Sequence, residues 1–157
     1  MIQTYTPYII VRRHPYEEPY VLQIEFLISN GNFSSKVDIY CNPEDLEKIG
    51  NSLKAFPAKI PDEYCYIYGS EDPNEKVYRF FRIKAYAIDA WGHCALQFAI
   101  NYNNDEPDEG TSKFSIHPID PAILSKLGDL FISFSRLSHL EFHWSPNGAQ
   151  ELFEKHQ

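Results

Sequence analysis

Asn42-Pro43-Glu44-Asp45-Leu46-Glu47-Lys48-Ile49-Gly50-Asn51-Ser52-Leu53-Lys54-Ala55-Phe56 reads as a capped amphipathic helix, and residues 120–134 repeat its design. The side chain of Asn42 suits the free N–H groups of a helix start, Pro43 suits the first helical position, and Glu44 and Asp45 suit the positive end of the dipole. Leu46, Ile49, Leu53 and Phe56 form one apolar face, and Pro57 ends the run. In the second stretch Asp120 and Pro121 occupy the start, and Leu124, Leu127, Phe131 and Phe134 form the face. Five of the fifteen aligned positions are identical and four more are chemically close. Capping and patterning account for the proline, the cap and the apolar spacing. They do not account for a mid-helix glycine in both, Gly50 and Gly128, where glycine costs about 1 kcal/mol relative to alanine. Its repetition predicts that each helix lies against something that leaves no room for a Cβ.

Working outward, the flanking segments alternate with period two, the mark of half-buried strands. Strands are expected at 8–13, 20–28, 33–40 and 64–68, and again at 77–88, 94–102, 111–117 and 140–144. Leu22, Ile24, Phe26 and Ile28 share one face of the second strand, and Phe33, Val37 and Ile39 one face of the third. Phe81, Ile83, Ala85 and Ala87 do so after residue 77; Leu96, Phe98, Ile100 and Tyr102 after residue 94; Leu140, Phe142 and Trp144 near the end. Asn30-Gly31-Asn32 is a hairpin signal, because Asn and Gly tolerate positive φ. The residues from Pro146 read as a frayed tail.

The resemblance extends upstream of the helices. Ser35-Lys36-Val37-Asp38-Ile39 aligns with Ser112-Lys113-Phe114-Ser115-Ile116, and Leu22-Gln23-Ile24 with Leu96-Gln97-Phe98. The expected fold is therefore α+β, antiparallel sheet with two amphipathic helices, from internal duplication of a β-β-β-α-β unit. Residues 1–157 form one domain in this reading, with half-repeats at 5–70 and 76–145, a tail at 146–157, and a pseudo-twofold axis joining the halves into one sheet system.

The 157 residues are 43% hydrophobic and 23% charged, with a net charge of −8, as expected of a globular chain. The acidic balance argues against general nucleic-acid binding and against anionic membranes. Cys41, Cys65 and Cys94 are odd in number and widely spaced, with no Cys-x-x-Cys pair. Residues 1–5 show no signal-peptide pattern and no apolar run is long enough for a membrane helix. A reducing cytoplasm is the expected location, and no cofactor is indicated.

Three features carry possible chemistry. His139, Glu141 and His143 would share one strand face, a donor set of the kind found in two-His-one-carboxylate metal sites. The outer two are about 13 Å apart along a strand, at roughly 3.3 Å per residue, so a solvated face competes with that reading. Asp89-Ala90-Trp91-Gly92-His93-Cys94 puts a histidine beside a cysteine. Adjacent strand residues point oppositely, which favours a turn with Trp91 packed and Gly92 enabling the bend. The face Tyr78, Phe80, Arg82, Lys84, Tyr86 mixes aromatics with cations, as protein contacts do.

Asn42-Pro43-Glu44-Asp45-Leu46 through Phe56-Pro57, then Gly69-Ser70-Glu71-Asp72-Pro73, then Gly92-His93-Cys94-Ala95-Leu96 together resemble small bacterial proteins that include immunity proteins of polymorphic-toxin systems. The resemblance implies a non-enzymatic protein whose partner is a toxin domain. On this reading a basic protein partner is met by Glu71, Asp72, Asp105, Glu106, Asp108 and Glu109, with Tyr78 and Tyr86 as anchors, and the chain is a monomer or homodimer. Two alternatives stand beside it: a ligand-binding, metal-binding or catalytic protein using a cleft between the halves, and a homo-oligomeric structural subunit.

Overall fold

The computed structural model describes residues 6–16, 18–56, 63–70, 72, 74–75 and 77–154. Pro57, read as the helix stop, and Glu71 fall outside them. In chain order the elements are β1 (Tyr8–His14), β2 (Leu22–Ser29), β3 (Ser34–Cys41), α1 (Pro43–Ala55), β4 (Glu63–Tyr68), β5 (Arg79–Ala87), β6 (Cys94–Tyr102), β7 (Gly110–Ile119), α2 (Pro121–Phe134), β8 (His139–Trp144) and β9 (Gln150–Glu154). The fold is α+β, with every strand pairing antiparallel.

Alternation sets the inner face. Leu22, Ile24, Phe26 and Ile28 of β2 have no solvent exposure, and Val37 and Ile39 of β3 join them. Phe81, Ile83 and Ala85 of β5 and Leu96, Phe98 and Ile100 of β6 are likewise buried. Phe26 and Phe81, one from each sheet, meet with ring centroids 4.8 Å apart. Four expected inward residues depart from the pattern, Ala87 and Tyr102 at their strand ends being only half-buried. Phe33 lies just before its strand, 66% exposed, and stacks on Phe114, while Leu140 is only half-buried.

The strands form two sheets, β3-β2-β1-β8-β9 and β4-β5-β6-β7, rather than one system. The strand following each helix crosses over: β4 joins β5, and β8 joins β1. The sequences β3-β2-β1-β8 and β7-β6-β5-β4 are thus the same arrangement, each completed by the other half of the chain. Register aligns them. Ser35 opposes Ile28 and Ser112 opposes Ile100, so Ile28 corresponds to Ile100 and Phe26 to Phe98. The sequence match of Leu22 with Leu96 is two residues out of register with this, and Leu22 corresponds in position to Cys94. The residues after Pro146 also differ from expectation, since β9 extends the first sheet beyond β8.

Asn42 accepts from the Asp45 N–H while the Asp45 carboxylate accepts from the Asn42 N–H, a complete capping box, and Asp120 caps α2 through the Ala122 N–H. The helices cross at the two glycines. A Cβ built on Gly50 would lie 2.6 Å from the Gly128 carbonyl oxygen, and one on Gly128 would lie 2.6 Å from that of Gly50. The close object predicted for each helix is therefore the other helix. α2 rests on the first sheet, with Phe131 and Phe134 edge-on to Phe142 and the Trp144 indole N–H donating to the Ile123 carbonyl. Arg13, 3% exposed, ties β1 to the α2–β8 connection by donating to the Leu137 and His139 carbonyls and pairing with Glu18. At the seam between β3 and β7 the Ser35 and Ser112 hydroxyls lie 2.7 Å apart, and the Tyr102 hydroxyl donates to the Lys36 carbonyl.

The crossing makes a quantitative demand. Gly50→Ala or Gly128→Ala drives a methyl into a backbone oxygen, and such overpacking costs about 1–3 kcal/mol, more than offsetting the gain in helix propensity of about 1 kcal/mol. Gly50→Val adds more bulk with a smaller gain and is expected to lose about 3 kcal/mol or more. Gly110, with no atom within 4 Å of its Cβ position, is the control, expected to change by no more than about 0.5 kcal/mol on Gly110→Ala. Urea unfolding of the four variants measures the ranking.

Candidate functional site

The four acids expected in the 103–109 connection project from a braced turn rather than a loose loop. The Asn103 N–H donates to the Tyr78 carbonyl, and its side-chain amide donates to the Val77 carbonyl. Arg79 donates to the Asn104 side-chain oxygen, and the Asn104 amide donates to the Asp108 carbonyl. The Asp108 N–H closes the turn on the Asp105 carbonyl. The Arg79 guanidinium is itself placed 4.1 Å over the Tyr102 ring.

This bracing ties the turn to the backbone of Tyr78, whose side chain is 74% exposed. Asp105, Glu106, Asp108 and Glu109 are all exposed, and among the described residues none of them enters an ion pair. Asp72 lies in the β4–β5 connection, which also leads to Tyr78, and accepts from the Asn74 N–H in a local turn. Tyr86 is not part of this group. It sits at the far end of β5, opposite Glu63, with the Lys84 ammonium over its ring. On the same side of β5, Phe80 is buried rather than exposed, and Arg82 donates to Gln97.

The His139–His143 strand carries an ion-pair chain. Arg12 donates to Glu141 at 2.5 Å and to Glu25 at 3.3 Å, and His143 Nε2 lies 2.6 Å from the other Glu141 oxygen. Lys36 and His14 approach Glu25 at 3.6 and 3.7 Å, so the chain of charge runs from β3 across β2 and β1 to β8. Burial alone would raise the Glu141 carboxyl, but hydrogen bonds from Arg12 and His143 outweigh it and hold it below the usual carboxylate range. Both Glu141 oxygens are thus engaged, one by the Arg12 guanidinium and the other by His143. Among the described residues no group of three His, Cys, Asp or Glu side chains is arranged to hold a metal ion. The expected His139, Glu141, His143 centre is not assembled.

His93 and Cys94 likewise take separate partners. His93 Nδ1 is 2.6 Å from the Asp89 carboxylate, whereas the buried Cys94 thiol donates to the Gly92 carbonyl. Gly92 has φ +90°, as the turn requires. Trp91, expected to pack, is instead 85% exposed, because the tight turn from Asp89 to Gly92 leaves it no neighbour to lie against.

Two concavities were not legible in the sequence. One, about 410 Å³, lies between α1 and β4 and is lined by Asp45, Lys48, Ile49, Asn51, Ser52, Tyr64 and Tyr66. Burial is the main cause raising the Tyr64 and Tyr66 phenols, and it pushes the neighbouring Cys41 thiol up to about 12. This is no place for an activated thiolate. The other, about 240 Å³, follows the seam between the sheets along Ser35, Lys36, Ile100, Tyr102 and Ser112. The first is formed by consecutive elements and the second by segments far apart in the chain. Among the described residues no helix is long and apolar enough to cross a membrane.

The Glu141 carboxyl, lowered by its partners, contributes stability that is present above its unfolded pKa and lost as pH falls through its folded one. Glu141→Gln is therefore expected to cost up to about 1 kcal/mol at neutral pH, the scale of a partly exposed ion pair. The difference should vanish in acid, once the wild-type carboxyl is protonated in both states. Unfolding curves across that range check it. No family model, curated protein or solved structure matches this chain.

Proposed function

We propose that this protein is a non-enzymatic protein-binding module that covers a basic surface of a partner, in the manner of an immunity or antitoxin-like protein. The observation that supports this reading best is the set of Asp105, Glu106, Asp108 and Glu109, exposed and, among the described residues, in no ion pair, on a hydrogen-bonded turn that is tied to the backbone of the exposed Tyr78. On the outer face of the first sheet, by contrast, Arg12 pairs with both Glu25 and Glu141. Uncompensated carboxylates beside an aromatic are suited to steering a cationic surface inward and then anchoring it. A braced loop also loses less freedom on binding than a loose one. The net charge of −8 acts in the same direction. An internal duplication accounts for the matched order of the two sheets and for the paired glycines.

The test is association of the wild type and of a variant carrying Asp105→Asn, Glu106→Gln, Asp108→Asn and Glu109→Gln with a basic protein captured from the native host. The variant is expected to associate about tenfold more slowly at low salt, with the difference shrinking as salt rises. The partner's activity should be blocked by the wild type. Equal rates for the two proteins, or a partner left fully active, would contradict the reading.

A further inference from the structure

β4 and β8 hold equivalent places, each completing a sheet after the crossover from its helix. They differ in what lies beyond them. The outer edge of β8 is hydrogen-bonded to β9, with Trp144 opposite Gln150 and Phe142 opposite Leu152. Among the described residues no strand pairs with the outer edge of β4. That edge reads Glu63-Tyr64-Cys65-Tyr66-Ile67-Tyr68. It has no lysine, no proline and no bulge, three devices that guard an edge, and its one charge, Glu63, stands at its first residue. Ile67 is 46% exposed, and Cys65 is exposed on the same face.

From this we infer that β4 pairs with β4 of a second copy of the chain, antiparallel about Tyr66, in the place that β9 takes on β8. The sequence of the edge is self-complementary in that register. Tyr66 opposes Tyr66 of the second copy, Tyr64 opposes Tyr68, and Cys65 opposes Ile67, so the two exposed small apolar residues cover each other. Glu63 opposes Gly69, which keeps the two glutamates at opposite ends of the contact. Such a twofold contact is closed, each copy giving and receiving the same bonds. The result is one antiparallel sheet, β7-β6-β5-β4 continued into its counterpart.

The groove beside β4 fits this occupant. Its wall is Ile49, Tyr64 and Tyr66, and its polar groups are Asp45, Lys48, Asn51 and Ser52. In the twofold contact the inward tyrosines of the second copy extend this wall, and buried tyrosine hydroxyls need such polar partners. At the equivalent place on the other half, the lining changes from Asp45, Ser52 and Tyr64 to Ile123, Leu130 and Leu140, and the chain supplies its own strand there. This inference does not depend on the acidic turn or on a basic partner.

Sedimentation equilibrium of the intact protein from low-micromolar to near-millimolar concentration is the test. The expected mass rises from the 18.3 kDa of one chain toward twice that value. Ile67→Lys places two new charges on the shared edge and should weaken the dimer about tenfold or more while leaving the circular dichroism unchanged. Ile67→Cys should give an intermolecular disulfide between position 67 and Cys65 on mild oxidation, identified by peptide mass spectrometry. A mass of one chain at every concentration overturns the inference and leaves the edge to a strand of another protein. So does a dimer that Ile67→Lys leaves unaltered and in which no such disulfide forms.

Discussion

The backbone contact between α1 and α2 at Gly50 and Gly128 is the constraint on which the remaining structure depends. Each glycine carbonyl occupies the space where the other residue's Cβ would be, so the helices approach more closely than any pair with side chains at those positions. The helices in turn position the exchanged strands. α1 leads into β4 of the second sheet, and α2 leads into β8 of the first. A change in helix separation is therefore transmitted to both sheets at once. Glycine weakens each helix by about 1 kcal/mol, and the contact offsets this by allowing the aromatic layer of Phe26, Phe81, Phe131 and Phe142 to close around the crossing.

Much of this was legible in the residues themselves. The alternation of Leu22 to Ile28 identified a strand and its buried face, the caps at Asn42 and Asp120 identified both helix starts, and the unexplained glycines foretold a close approach. The exchange of β4 and β8 was not legible, because period-two alternation states which face is buried and is silent on which sheet a strand joins. The same physics explains the displaced upstream match. A shift of two residues preserves every inward and outward assignment, so Leu22 against Leu96 looks as good as the pairing that strand register gives. Phe33 and Trp91 were misplaced because both lie where a strand gives way to a turn and alternation no longer applies.

The candidate site divides in the same way. The acids of residues 105–109 stand out in composition, but their bracing depends on Arg79, Asn103 and Asn104, which no local pattern links to them. Tyr86 was grouped with Tyr78 through shared alternation, yet eight residues of strand separate the two by roughly 26 Å. Glu141 looked like a metal ligand because its neighbours in the chain are histidines. Its decisive partner, Arg12, is 129 residues away in sequence and adjacent only through the pairing of β1 with β8. On the outer face of the first sheet Glu25 and Glu141 are thus paired through Arg12, while the acids of residues 105–109 enter no ion pair among the described residues.

The central structural claim is that the two halves are interlocked through the helix crossing and the exchanged strands, so that neither opens alone. Native-state hydrogen exchange in increasing denaturant tests it most directly, by following the amides of α1, α2, β4 and β8 one by one. Interlocking predicts that all four elements converge on the same opening free energy and the same denaturant dependence, that of global unfolding. If the amides of one half instead exchanged through a smaller opening while the other half stayed protected, the halves would be independent units and the account would be wrong.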